Sequence, residues 1–187
     1  MQRKMDVTDI VHAMPDTGKL SEAERNELKK IYENSMKQGE EFARFFQKYR
    51  EVKHLMRDLL MTVVGYFQEN KLSPRSAKFE AKIEHETLLI LLEEALFSSD
   101  EKEFEPGEGQ IDSHTVSFLT PYVALLEEYP QFMKIVQESD GISALLMKVW
   151  RFVFEAYKCG DIRKGCKFMV RTQIMENKDV YFVVTWR

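Results

Sequence analysis

The chain has 187 residues, 44% of them hydrophobic and 31% charged, with a formal net charge of −4. This length buries a substantial core with little room for two full domains, and the composition is not that of a disordered chain, which is poor in Leu, Ile, Val and Phe. No membrane span is expected either, because apolar runs such as Leu88 to Leu92 do not exceed five residues and fall far short of the roughly 20 that a span requires.

The first ten residues carry Arg3 and Lys4 with no apolar run behind them, so no secretory signal is expected. Two cysteines in a Met-rich chain do not resemble a disulfide scaffold, which points to a reducing cytoplasm. The charge is uneven. Ser98 to Asp112 holds six acids against Lys102, a balance of −5, whereas Lys148 onward holds nine basic and four acidic residues, a balance of +5. Each segment is a candidate partner surface.

Pro15, Asp16 and Gly18 form a turn, and Ser21 with Glu24 gives the Ser-x-x-Glu pattern in which each side chain satisfies a free amide of a starting helix. From Leu28 through Phe42, Phe46, Val52, Leu59 and Phe67 the apolar residues keep helical spacing up to Ser73-Pro74. One straight rod of that length would measure about 75 Å, against a radius of gyration of about 16 Å for a compact chain of this size. Breaks are therefore expected near Gly39 and near Arg50.

Ser76 to Phe97 reads as the next helix, apolar on every side around Leu88 to Leu92 and so central in the bundle. Pro106-Gly-Glu-Gly109 then marks an acidic surface loop over 98–112. Ser113 to Tyr129 reads as helical with Pro121 kinking it or opening a second helix, Pro130 starts a short helix to about Glu138, and Asp140-Gly141 ends it. A further helix is expected from Ser143 to Lys158. The last 22 residues switch to period two, Cys166 to Gln173 and Val180 to Arg187 flanking Glu176-Asn-Lys-Asp179, the signature of a β-hairpin. A lone hairpin is marginal, so this one needs the helices, a third strand or a second subunit.

No residues converge with the spacing that a particular chemistry demands. The four histidines (His12, His54, His85, His114) and two cysteines lack a C-x-x-C pair, which argues against a zinc site. Asp112-Ser113-His114 holds the residue types of a hydrolase triad, but consecutive side chains cannot form the relay, and a helix cap is the better reading. No Gly-Lys-Ser/Thr phosphate loop occurs. Cys159 and Cys166 are candidate redox thiols, because Arg163 and Lys164 would lower a nearby thiol's pKa; the plainer reading makes them small apolar residues at a helix end and a strand start. The basic tail offers Arg163, Lys164, Lys167 and Arg171 near Phe168, Tyr181 and Trp186, a modest pattern that argues against nucleic acid as the main partner.

Together these readings predict a mainly α (α+β) single domain over 1–187: a bundle of six to eight helices, with an N-terminal helical half (20–97), the acidic loop (98–112), C-terminal helices (113–158) and a hairpin (165–187). The expected function is a non-enzymatic protein-interaction or regulatory module without cofactor. Its partner is another protein, with a homodimer through the hairpin as one form. The partner surface would comprise Glu101, Glu103, Glu105 and Glu108 with Arg163, Lys164, Lys167 and Arg171, the hairpin around Phe168, Phe182 and Trp186 acting as an augmenting edge. The alternative is a sensor or carrier holding a lipid or haem-like ligand in an apolar pocket of Phe67, Leu88, Leu92, Val149 and Trp150.

Overall fold

A computed structural model describes residues 21–98, 107 and 123–187. In chain order these form α1 (Glu22–Lys48), α2 (Arg50–Glu69), a 3₁₀ turn (Pro74–Ser76), β1 (Lys78–Glu84), β2 (Thr87–Glu94), α3 (Val123–Glu128), a 3₁₀ turn (Pro130–Phe132), α4 (Met133–Glu138), α5 (Asp140–Cys159), β3 (Phe168–Ile174) and β4 (Val180–Trp186). The fold is α+β. The expected C-terminal hairpin is present as β3 and β4, within a four-stranded antiparallel sheet of order β1-β2-β4-β3; five α-helices accompany it among the described residues, which do not by themselves form the expected bundle of six to eight helices.

The capping box forms as read: Ser21 Oγ accepts from the Glu24 amide at 3.3 Å and Glu24 Oε2 accepts from the Ser21 amide at 2.8 Å. The long helical run breaks once, at Tyr49 (φ −121°, ψ 77°), beside the expected Arg50, while Gly39 lies inside α1. Aromatic packing decides the place of the break. The Tyr49 ring lies 4.1 Å from that of Tyr157 and 4.9 Å from that of Phe45, so the bend at Tyr49 places its ring against α5.

The predicted helix over Ser76–Phe97 is corrected to two strands that turn at His85-Glu86, where His85 takes a left-handed φ of 54°. The reason lies in the pleat. Lys78, Glu80, Lys82 and Glu84 alternate with Phe79, Ala81 and Ile83, and a run that is apolar all round a helix is equally apolar on both faces of an interior strand. β2 is such a strand, between β1 and β4. It supplies the additional strand that the C-terminal hairpin requires, with Leu88 opposite Val184 and Ile90 opposite Phe182.

The inner face of the sheet carries Phe79, Leu88, Ile90, Phe182 and Val184, all buried. Phe67 of α2 stacks on Phe79 at 6.1 Å and Tyr66 meets Phe182 edge-on at 5.8 Å, which seats α2 across the sheet. On the helical side Phe42, Phe46 and Trp150 share the core, with Trp150 at 4.8 Å from Phe42. Asp140-Gly141, read above as a helix stop, instead starts α5 behind the Ser139 cap.

Candidate functional site

Two surfaces stand out, the free edge of β3 and a groove between α1 and α5. At the first, strand order leaves β1 and β3 as the sheet edges among the described residues. β1 is protected by charge, since its outer face is Lys78, Glu80, Lys82 and Glu84, with Lys78 paired to Glu94 at 2.9 Å and Lys82 to Glu84 at 3.1 Å. The outer face of β3 has only Arg171 among Met169, Gln173 and the following Met175. Met169, Ile174 and Met175 are 66%, 62% and 43% exposed, and Met61 of the adjoining α2 is 56% exposed.

The backbone parity of this edge follows from two hydrogen bonds. Lys167 and Arg187 exchange both amide-to-carbonyl bonds, at 2.9 and 3.1 Å, and the Met175 amide donates to the Asp179 carbonyl at 2.9 Å. Hydrogen-bonded pairs alternate along an antiparallel ladder, so Met169, Arg171 and Gln173 bond inward to β4. Phe168, Val170, Thr172 and Ile174 therefore direct their N–H and C=O groups to the free edge. Their side chains lie on the α2 side, opposite Trp186, Val184, Phe182 and Val180. There a groove of about 590 Å³ runs between α2 and β3, walled by Met61, Thr62, Tyr66 and Glu69 against Thr172 and Ile174. Gly65 opens it: a Cβ at this position would meet nothing within 4 Å.

The second groove, of about 640 Å³, has Phe45, Tyr49, Phe154 and Tyr157 as its apolar wall and Glu41, Arg44, Lys48 and Lys158 at its rim. The Lys48 ammonium sits 5.2 Å from the Tyr49 ring centre and that of Lys158 4.3 Å from Phe154. One end is fixed by Glu51. Its Oε1 accepts from the Tyr157 hydroxyl at 2.9 Å and the Gly165 amide at 2.7 Å, tying the loop before β3 to α2. The groove suits a molecule that is apolar in body and acidic at its end.

The Tyr157 hydroxyl also lies 3.7 Å from Cys166 Sγ. Burial pushes the Cys166 thiol up, the Tyr157 hydroxyl bond partly opposes this, and the Glu51 charge adds to it; burial first, then the bonds to Cys166 and Glu51, pushes the Tyr157 phenol up. The expectation that Arg163 and Lys164 lower the thiol is thus corrected at Cys166. Both groups are neutral when protonated, so the folded chain keeps protons that the unfolded chain releases at ordinary values of 9.0 and 10.0. This stability is fully present below pH 9 and lost as pH rises above it. Melting temperature should hold steady from pH 7 to 9 and then fall, and the Tyr157→Phe, Cys166→Ala double variant should flatten that alkaline fall; an equally steep fall would remove the cluster as its cause.

The remaining candidates separate. Arg163, Lys164, Lys167 and Arg171 are exposed around the start and outer face of β3. Phe182 and Trp186, expected at the augmenting edge, lie buried on interior strand β4. Phe67, Leu88, Val149 and Trp150 are core residues and Leu92 is partly buried against them; none of the five lines either groove. Cys159 ends α5 exposed, Cys166 is partly buried, and both are free thiols. His85 is exposed at the β1–β2 turn. Glu101, Glu103, Glu105 and Glu108, and Asp112-Ser113-His114, lie outside the described residues. Among the described residues, no helix is long and apolar enough to cross a membrane.

Sequence reasoning missed Gly65 and Glu51. A glycine amid a helical run was the one local signal, since glycine there costs roughly 1 kcal/mol relative to alanine and so marks a position with another demand. No protein-family model, curated protein or solved structure matches this chain.

Proposed function

We propose that this protein is a non-enzymatic interaction module that takes a strand of a protein partner onto the free edge of β3. The observation that carries the reading is the coincidence of outward backbone groups at Val170, Thr172 and Ile174 with an open groove beside Gly65 on the same face. A strand added there would place alternate side chains in that groove, the main chain supplying affinity and the groove selectivity. The free thiols at Cys159 and Cys166 suit a reducing cytoplasmic setting.

The aromatic groove between α1 and α5 favours a second reading, the carriage or sensing of a hydrophobic molecule with an acidic end, apart from the core residues first considered for it. One titration separates the two. Amide shifts and exchange protection are followed while extended peptides of alternating apolar residues, and separately decanoate, are added. The interaction module predicts that the amides of Val170, Thr172 and Ile174 are protected or shifted by strand pairing, newly where the edge is free beforehand and by displacement where it is already paired, with Arg171 and Gln173 protected throughout. Response to decanoate alone, centred on Phe45, Tyr49 and Tyr157, would replace it with the second reading.

A further inference from the structure

We propose that the strand received by β3 is β3 of a second copy, paired antiparallel about a two-fold axis through Thr172, which joins two sheets into one of eight strands. The inference rests on the edge-pairing reading above and names its partner. Because only even-numbered residues of β3 direct their backbone outward, a two-fold antiparallel pair must set even residues opposite even residues. Three registers then engage at least three outward residues of each strand, with axes at Val170, Arg171 or Thr172.

Side chains choose among them. An axis at Arg171 sets two guanidinium groups directly opposite in a non-hydrogen-bonded pair, where side chains are closest and like charges repel. An axis at Val170 sets Met169 against Arg171 and leaves Ile174 and Met175 beyond the paired strands. The axis at Thr172 sets Arg171 opposite Gln173 of the second copy, Met169 opposite Met175, and Val170 opposite Ile174. It therefore covers all three large apolar residues that the edge exposes, Met169, Ile174 and Met175.

Charge agrees with this register. Lys167 at the start of each strand falls opposite the turn of the other, Glu176 to Asp179, whose two acids outnumber Lys178, so opposite charges attract across the pair. On the inner face Val170 of the second copy lies beside Ile174 and enters the groove at Met61, Gly65 and Tyr66. Such self-complementarity is what a two-fold interface requires.

The test combines sedimentation equilibrium with oxidative cross-linking in a Cys159→Ser, Cys166→Ser background. Cα atoms of a hydrogen-bonded pair stand about 5.5 Å apart, within disulfide reach, so Thr172→Cys should give a covalent dimer. Arg171→Cys should not, because its own counterpart would lie diagonally at about 7–8 Å. Thr172→Pro removes an amide that points outward, a place where edge strands tolerate proline. Gly65→Leu fills the groove from a helix position with open space above it. Both variants should keep the native circular dichroism spectrum and weaken dimerisation at least tenfold. Cross-linking at Arg171→Cys instead of Thr172→Cys, or a dimer indifferent to both Thr172→Pro and Gly65→Leu, overturns the proposal. So does a monomer up to about 1 mM, the weak end of specific association. In that last case, peptide-induced protection at Val170, Thr172 and Ile174 would leave the edge reading standing, whereas its absence would remove both.

Discussion

Replacing Gly141 with alanine is expected to destabilise the protein by roughly 3 kcal/mol or more, the upper range for overpacking at a site that cannot yield. Gly141 lies in the first turn of α5, where an added Cβ would fall 1.8 Å from the carbonyl oxygen of Ala77 and 2.8 Å from its carbonyl carbon. Backbone cannot rotate away as a long side chain does. Ala77 is itself fixed, buried between the 3₁₀ turn and β1, with its amide bonded to the Pro74 carbonyl at 3.3 Å. Either α5 or the entry to β1 must move, and both are built into the core. Thermal denaturation should show a drop of about 6–12 °C, at roughly 2–4 °C per kcal/mol for a chain of this size. A loss below about 1 kcal/mol would mean that the start of α5 and the β1 entry separate readily.

Ser139→Ala should cost about 2 kcal/mol, through two bonds of one hydroxyl. The side chain is fully buried at 0% exposure. Its oxygen accepts from the Ile142 amide at 3.1 Å, capping α5, and its hydroxyl donates to the Pro74 carbonyl at 2.6 Å, across 65 residues of sequence. An ordinary cap contributes about 1 kcal/mol, and loss of the second donor to the Pro74 carbonyl, which keeps its bond from the Ala77 amide, adds the roughly 0.5–1.5 kcal/mol of one buried hydrogen bond. Urea denaturation at constant slope measures the difference. A loss of only about 1 kcal/mol would assign the hydroxyl a capping role alone. Since Ser139 and Gly141 seat α5 on the same Pro74–Ala77 turn, their effects should combine non-additively.

This turn also shows where local reading stops. Asp140-Gly141 looks like a helix terminator from its neighbours alone, because glycine most often serves a helix by ending it. Its requirement here comes from Ala77, a residue remote in sequence. The β1–β2 hairpin was misread for a different reason. Leu88 to Leu92 has the same composition whether it fills the centre of a bundle or an interior strand, and periodicity does not separate the two in so short a run. The alternation from Lys78 to Glu84 is present in the sequence, but beside an apolar run that fits a buried helix the expectation rested on that run alone. The edge of β3 was likewise half legible. Its alternation marked a hairpin, but which of its two strands stands free depends on β2 pairing with β4, and that moved Phe182 and Trp186 from the edge to the interior.

What the sequence by itself determined is local. The Ser21–Glu24 capping box, the helical spacing of α2 and α5, and the period-two pattern of β3 and β4 each rest on interactions between residues a few positions apart. Tertiary structure decided everything that needs distant segments to meet: the break at Tyr49 against Tyr157, the glycine at 141 under Ala77, the interior place of β2, and the groove that Gly65 opens beside Thr172 and Ile174. The physical reason is that hydrogen bonds along a helix and the alternation of a strand are properties of neighbouring residues, whereas burial, strand order and the free edge depend on which surfaces the whole chain brings together.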